Sequence, residues 1–428
     1  MEKVEYSAIG EVCYRHTLPN GLRIVVVPKP DVTVSYAAFA TEYGGAFRRF
    51  RTGDQWLDTP AGIAHYLEHK MFDMPEGENA LSVLSANGAE PNAFTSSGMT
   101  CYHFESTRNF EENLEMLLRF VSTPYFTDES VEKEQGIIAQ EIRMTEDSPG
   151  FEVYIQLMKL LYDHHPIRDA VAGTVESIRE ITPQVLYDCH RVFYHPSNMT
   201  LCVSGNVDPE KVVEIAGQVL TSEPGTPPEA DFGEPDDAPP TVARHSMNME
   251  VAAPLFLIGA KVTPAENGES LLRQKLIAGL VLRSLFGSSS DFYTENYAAG
   301  LIGRDFDFEI DYSSGTATII IGGESKDPEK VYEEIVKTIQ KNLKWGLDRR
   351  DFDRIKKASI GGRLRGLEDP EGVALSQVDG VFGGYDPLRS FEVLPDITLE
   401  ECNTFLRDFL DPQQLAMSLV LPKGSEQK

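Results

Sequence analysis

Pro60-Ala61-Gly62-Ile63-Ala64-His65-Tyr66-Leu67-Glu68-His69-Lys70-Met71-Phe72 carries two histidines four residues apart, with a glutamate directly before the second. On an α-helix, residues i and i+4 share a face, so both imidazoles can reach one ion. Glu68 lies about 100° around the helix from His69 and can lean over that ion without ligating it. The order H-x-x-E-H thus offers two zinc ligands and a general base on one turn, the inverted zincin arrangement. Zinc held this way activates water for hydrolysis, so the stretch points to a metallohydrolase. Its context suits a helix: Pro60 is placed for a helix start, and Ile63, Leu67 and Phe72 make a core stripe.

Catalytic zinc keeps three protein ligands and one position for water, so a third side chain is required. Ser130-Val-Glu-Lys-Glu-Gln-Gly-Ile-Ile-Ala-Gln-Glu-Ile-Arg143 reads as a helix, with Asp128 as a cap and Val131, Ile138 and Ile142 as its apolar stripe. Glu134 and Glu141 are seven apart, two turns, and project from one face. One can ligate the metal while the other orients a ligand or holds substrate. By themselves, two glutamates at this spacing mark a solvated face more often than a site. The need for a carboxylate is what singles them out.

The same residues resemble a known family. His65-Tyr-Leu-Glu-His69 followed by Glu141, Asn92-Ala-Phe-Thr95 with Thr100 and Tyr102, Glu132-Lys-Glu-Gln-Gly-Ile-Ile-Ala-Gln-Glu141 and Thr200-Leu-Cys-Val-Ser-Gly-Asn206 look like the M16 peptidases. That is the pitrilysin, insulin-degrading and mitochondrial-processing group. The resemblance covers essentially the whole chain, whose length matches the short, two-domain members. It implies that His65, His69 and Glu141 bind Zn2+, that Glu68 is the general base, and that Glu134 supports the site. Asn92 and Ala93 would sit on the edge strand that pairs with the substrate backbone. The implied fold is α+β: two homologous domains, each a mixed, mostly antiparallel sheet with helices packed on one face. They would form half of a clamshell, as in LuxS/MPP-like metallohydrolases. The implied activity is that of a metalloendopeptidase acting on peptides or small unfolded polypeptides in an enclosed chamber. The resemblance also implies dimers, of like chains or with an inactive sister subunit. Two other roles stay open: a subunit active only beside a metal-free M16 partner, and a non-catalytic assembly or processing subunit. The intact triad and Glu68 speak against the latter.

With 428 residues and 41% hydrophobic content, the chain should form at least two domains with buried cores. No early segment joins basic residues, an apolar run and a small-residue cleavage site, so no signal peptide is expected. No apolar run approaches 18 residues, so no spanning helix is expected. Cysteines at 13, 101, 189, 202 and 402 are odd in number, scattered and free of C-x-x-C pairs, which suggests a reducing cytoplasm rather than a disulfide framework. The net charge of −28 argues against nucleic acid, whose phosphates demand basic surface. It would modestly favour basic peptides, although solubility alone accounts for it as well.

Glu223 to Pro240 is rich in proline and acid and reads as a linker between a metal-binding domain, 1–222, and a second domain, 241–428. The halves look duplicated. Ile181-Thr-Pro-Gln-Val…Pro196 aligns without gaps to Ile397-Thr-Leu-Glu-Glu…Pro412, and Glu146-Asp-Ser-Pro-Gly150 resembles Glu368-Asp-Pro-Glu-Gly372. Strands are expected at Leu22–Val27, Thr33–Ala40, Met199–Val203 and Thr316–Ile321. Helices are expected at Phe110–Val121, Ser130–Glu146, Glu152–Tyr162, Leu271–Leu285, Val331–Trp345 and Phe352–Leu367. The second half has no H-x-x-E-H, so only the first can hold the metal. Its simplest task is to close over the first half and complete the chamber. There Arg304, Tyr297 and Tyr385 are candidate peptide contacts, although core tyrosines and a surface arginine are commoner. Other histidines are set aside: His164-His165 precedes Pro166 and suits a turn, and His103 on the strand with Cys101 suits a satisfied core position. Ser288-Ser-Ser290 lacks the frame of an activated serine, and no nucleotide motif occurs.

Overall fold

Arg23–Pro28, Ser35–Thr41 and Met199–Gly205 are short runs rich in apolar and β-branched residues, and they form the centre of a seven-stranded sheet. This is a computed structural model, which describes residues 1–234, 236, 239–240 and 243–424. The strand order is Glu2–Tyr6, Glu11–Thr17, Arg23–Pro28, Met199–Gly205, Ser35–Thr41, Thr100–Ser106, Ala89–Thr95. Arg23–Pro28 and Met199–Gly205 run parallel; every other pair is antiparallel. Ala89–Thr95 is the outer edge.

Successive side chains of the central strands enter opposite cores. Ile24, Val26, Ala37, Phe39, Leu201 and Val203 face one core, with residues of Ile63–Met71, Ala80–Ala86, Phe110–Ser122 and Pro209–Val219. Val25, Val27, Tyr36, Ala38, Ala40 and Cys202 face the other, against Val373, Ala374 and Val378 of the helix Pro370–Gly383. Covering both faces explains why Ser35–Thr41 is buried along its whole length instead of alternating. The helical layer expected on one face is present, and a single helix is added on the other.

The second sheet has the order Arg244–Met249, Ala416–Pro422, Leu255–Val262, Thr316–Glu324, Asp307–Ser313. It also begins with a parallel pair and continues antiparallel. This repeats the last five strands of the first sheet, element for element, as expected of two homologous α+β domains. The aligned segments coincide in detail. Thr182 and Thr398 each cap a helix, and Pro196 and Pro412 each open a 3-10 turn before the returning strand.

Packing groups the chain into two units that each draw on both halves. One comprises Met1–Ile142, Ala170–Phe232 and Arg363–Leu388; the other comprises Arg143–Asp169, Gly233–Gly362 and the residues from Arg389 onward. In the second unit the helix Pro149–Leu161 supplies Leu157, Met158 and Leu161 to a cluster with Ile320 and Ala416. Residues 223–229 of the proline-rich stretch have no regular structure. Pro235, Asp237 and Ala238 of that stretch lie outside the described residues, as do 241–242 and 425–428 of the expected second domain. No described helix is long and apolar enough to cross a membrane.

Candidate metal centre

The motif occupies the helix Ile63–Met71, whose Ile63, Tyr66, Leu67 and Met71 are buried. Its cap is Gly62 in the left-handed conformation, φ 94°, so Pro60 lies outside the helix and not at its first position. Gly62 meets Ala172 and Gly173 meets Ala61 so closely that a Cβ on either would overlap the other segment's carbonyl. Ser177 Oγ closes the same junction by donating to the Ala61 carbonyl at 2.8 Å.

The helix Asp128–Glu146 crosses beside it. Ser130 N donates to Thr127 Oγ1 at 3.1 Å and Thr127 N to Ser130 Oγ at 3.2 Å. Thr127 is therefore the cap, and Asp128 lies in the first turn, where its charge still favours the helix dipole. Two side chains of the motif helix fix this start. Tyr66 donates its hydroxyl to the Val131 carbonyl, and the fully buried Lys70 donates to the Ser130 carbonyl at 3.2 Å while pairing with Asp73. With the two helices locked at that end, the following turns of the second deliver Glu134 and Glu141 to the histidines.

His65 Nε2 lies 3.3 Å from one Glu141 carboxylate oxygen, and His69 Nε2 lies 3.5 Å from the other. His69 Nδ1 lies 3.0 Å from Glu134. One donor atom each from His65, His69 and Glu141 falls within 4.8 Å of the others, and among the described residues no other such group occurs. Zinc bonds of about 2.0–2.2 Å in tetrahedral array separate neighbouring ligand atoms by about 3.3–3.6 Å. The observed 3.3 and 3.5 Å fall in that interval, so these residues fit a zinc ion in both chemistry and spacing.

Electrostatics point the same way. Burial lowers the His69 pKa, but the Glu134 hydrogen bond and the charges of Glu141 and Glu68 outweigh it, and the net shift is upward. Burial raises Glu134, yet His69 and Lys70 carry it below the usual carboxylate value. Glu141 is lowered chiefly by its bond to His65. Two ionised carboxylates facing two imidazoles make a site that attracts cations.

Glu68 is buried beside this group and accepts a 2.6 Å hydrogen bond from Thr95 Oγ1. Thr95 ends the edge strand, and its hydroxyl is also 3.2 Å from Thr100 Oγ1, which donates to the Tyr43 carbonyl at 2.8 Å. Sequence reasoning quoted Thr95 but gave it no role, because a lone strand threonine carries no signal of what it touches. Asn92 and Ala93 lie on the edge strand as expected. The Ala93 N–H donates to Asn92 Oδ1 at 2.9 Å, so it is turned away from the neighbouring strand. Tyr297 and Arg304 are brought together, 3.4 Å apart on an exposed surface, while Tyr385 donates to Asp379 in the other unit. His165 caps a turn and bonds the Ser314 carbonyl at 3.0 Å, and His103 stacks on Tyr36. His165 is satisfied without a ligand.

A Bacillus subtilis (strain 168) protein named uncharacterized zinc protease YmfH is 36% identical over 99% of this chain and 100% of its own length. This chain belongs to peptidase family M16. The family model described as "Insulinase (Peptidase family M16)" matches residues 57–175, and "Peptidase M16 inactive domain" matches 180–359. Among solved structures, the putative M16-like peptidase from Alicyclobacillus acidocaldarius superposes with a TM-score of 0.92 at 33% identity, covering 96% of this chain and 99% of that one. A protease from Helicobacter pylori shares the fold, with a TM-score of 0.83 at 20% identity over 96% and 99%. The Bacillus subtilis relative thus spans nearly all of this chain, and the second family model falls on the part of the chain without the motif.

Proposed function

We propose that this M16 chain is a zinc-dependent endopeptidase that hydrolyses peptides or small unfolded polypeptides. The observation that carries the reading is the meeting of His65, His69 and Glu141 beside the buried carboxylate of Glu68. In this reading His65, His69 and Glu141 hold Zn2+. Bound there, the ion would polarise the scissile carbonyl and bring the pKa of the attacking water down toward about 7. Glu68 takes the proton of that water and then delivers it to the leaving amine. Glu134 holds the Nδ1 proton of His69, which leaves the Nε2 lone pair free for ligation. An extended peptide adds beside Ala89–Thr95, recognised through the outward backbone groups near Asn92 and Ala93. Because the motif helix packs against this strand, a peptide lying along it passes close to Glu68.

Glu68→Gln tests the reading. The amide preserves shape, so the variant should bind one zinc per chain by elemental analysis yet cleave a quenched peptide library about 100- to 10,000-fold more slowly. Normal cleavage by a zinc-loaded Glu68→Gln protein would end the assignment.

Two further parts belong to the same proposal. All five cysteines are buried and unpaired, which supports residence in the cytoplasm. The chain works as a homodimer or beside an M16 sister subunit; size exclusion with activity assayed across the peaks tests this, and a fully active monomer refutes it.

A further inference from the structure

We infer that Thr95 is a positioning residue that holds the Glu68 carboxylate in its reactive orientation through a hydrogen bond whose direction is fixed by the residues behind it. The inference rests on the proposed role of Glu68 as base. Thr95 and Thr100 are directly opposed on neighbouring antiparallel strands, with their side chains on one face. Thr100 is fully buried, and its single hydroxyl proton is committed to the Tyr43 carbonyl at 2.8 Å. It can therefore only accept from Thr95. The Thr95 proton has two acceptors in reach, Glu68 at 2.6 Å and Thr100 at 3.2 Å, and the shorter bond goes to Glu68.

The consequence is geometric. Glu68 stands on the motif helix, and three torsions separate its carboxylate from the backbone. Its neighbour His69 is held by Glu134, and among the described residues Thr95 is the side-chain hydrogen-bond partner found for Glu68. The strand that offers its edge to the peptide thus also orients the base, so strand, substrate and Glu68 share one reference frame. Losing the bond should leave the carboxylate present but free to rotate.

The test compares Thr95→Val with Thr95→Ser. Valine keeps the volume and strand propensity and removes the hydroxyl; serine restores it. Thr95→Val should lower kcat about tenfold to a hundredfold with KM changed little, as expected for a displaced catalytic group. Zinc content and Tm should stay at the wild-type values, and Thr95→Ser should recover most of kcat. Crystal structures of the metal-free wild type and Thr95→Val give a second readout: the Glu68 carboxylate should be displaced or spread over rotamers only in the variant. An unchanged kcat for Thr95→Val, or an equal loss in Thr95→Ser, overturns the inference. So does a Glu68 rotamer identical in the two crystals. If Glu68→Gln abolishes cleavage while Thr95→Val does not reduce it, only this inference fails. If Glu68→Gln retains cleavage, the base assignment fails with it.

Discussion

Replacing Glu134 should weaken zinc binding without touching a ligand. Its carboxylate is largely buried, lies 3.0 Å from His69 Nδ1, and is held in the ionised state by His69 and Lys70. A hydrogen bond to a charged partner contributes about 1.5–3 kcal/mol. At about 1.4 kcal/mol per decade, its loss corresponds to about a tenfold to hundredfold change in affinity. Glu134→Ala removes both charge and acceptor and should reach the upper end. Glu134→Gln keeps an acceptor for the Nδ1 proton and should stay near the lower end. Competition with a chromophoric chelator measures both, with circular dichroism to establish that the fold is kept. Glu132→Ala, an exposed position on the same helix, serves as the control and should change nothing. If Glu134→Ala bound zinc as tightly as Glu132→Ala, the claim that this carboxylate fixes the ligand would be refuted.

Three more outcomes are expected. Gly62→Ala forces a side chain into a left-handed backbone and against the Ala172 carbonyl, so it should cost at least about 2 kcal/mol in urea unfolding and loosen zinc at the adjacent motif. Burial lowers the His190 pKa from 6.5 to about 4, although its bond to the Val121 carbonyl opposes the shift. The unfolded chain takes up this proton first as pH falls, so His190 supports the fold fully above pH 6.5 and loses up to about 3 kcal/mol on the way down to about 4. His190→Phe should flatten that acid limb in pH-dependent urea titrations while lowering neutral stability by about 1–3 kcal/mol through the unpaired Val121 carbonyl. Chelation should abolish cleavage and lower Tm; zinc at a hundred times its dissociation constant should restore about 2.7 kcal/mol, and His65→Ala should erase that difference.

What could be read from the chain follows the range of the physics. His65, Glu68 and His69 were legible because their relation is set by one helical turn. Helical spacing and the need for a carboxylate singled out Glu134 and Glu141, but only family resemblance assigned the metal to Glu141, since no local rule says which distant carboxylate a helix pair brings together. The cap of its helix was misplaced by one residue because Asp128 and Thr127 are both good caps, and only the reciprocal Thr127–Ser130 bonds choose between them. Thr95 was invisible as the partner of Glu68 because strand pairing decides where its hydroxyl ends. Amphipathic patterning correctly placed helices over 152–162 and 352–367, but a stripe states that a face is buried and not which sheet buries it. That is why the packing of Pro149–Leu161 and Pro370–Gly383 emerged only in three dimensions.

The helix Pro370–Gly383 has a consequence for how the protein is made. Residues 363–388 belong to the unit that holds the motif, so a ribosome that has released the first 232 residues has not yet supplied them. Until then Val25, Val27, Ala38 and Cys202 lack the cover that Val373, Ala374 and Val378 provide. Vectorial synthesis therefore leaves an oily sheet face bare for more than a hundred further residues. Nascent chains stalled before Gly383 should recruit chaperones, and a chain cut at the proline-rich stretch should regain its metal only when both fragments are present together.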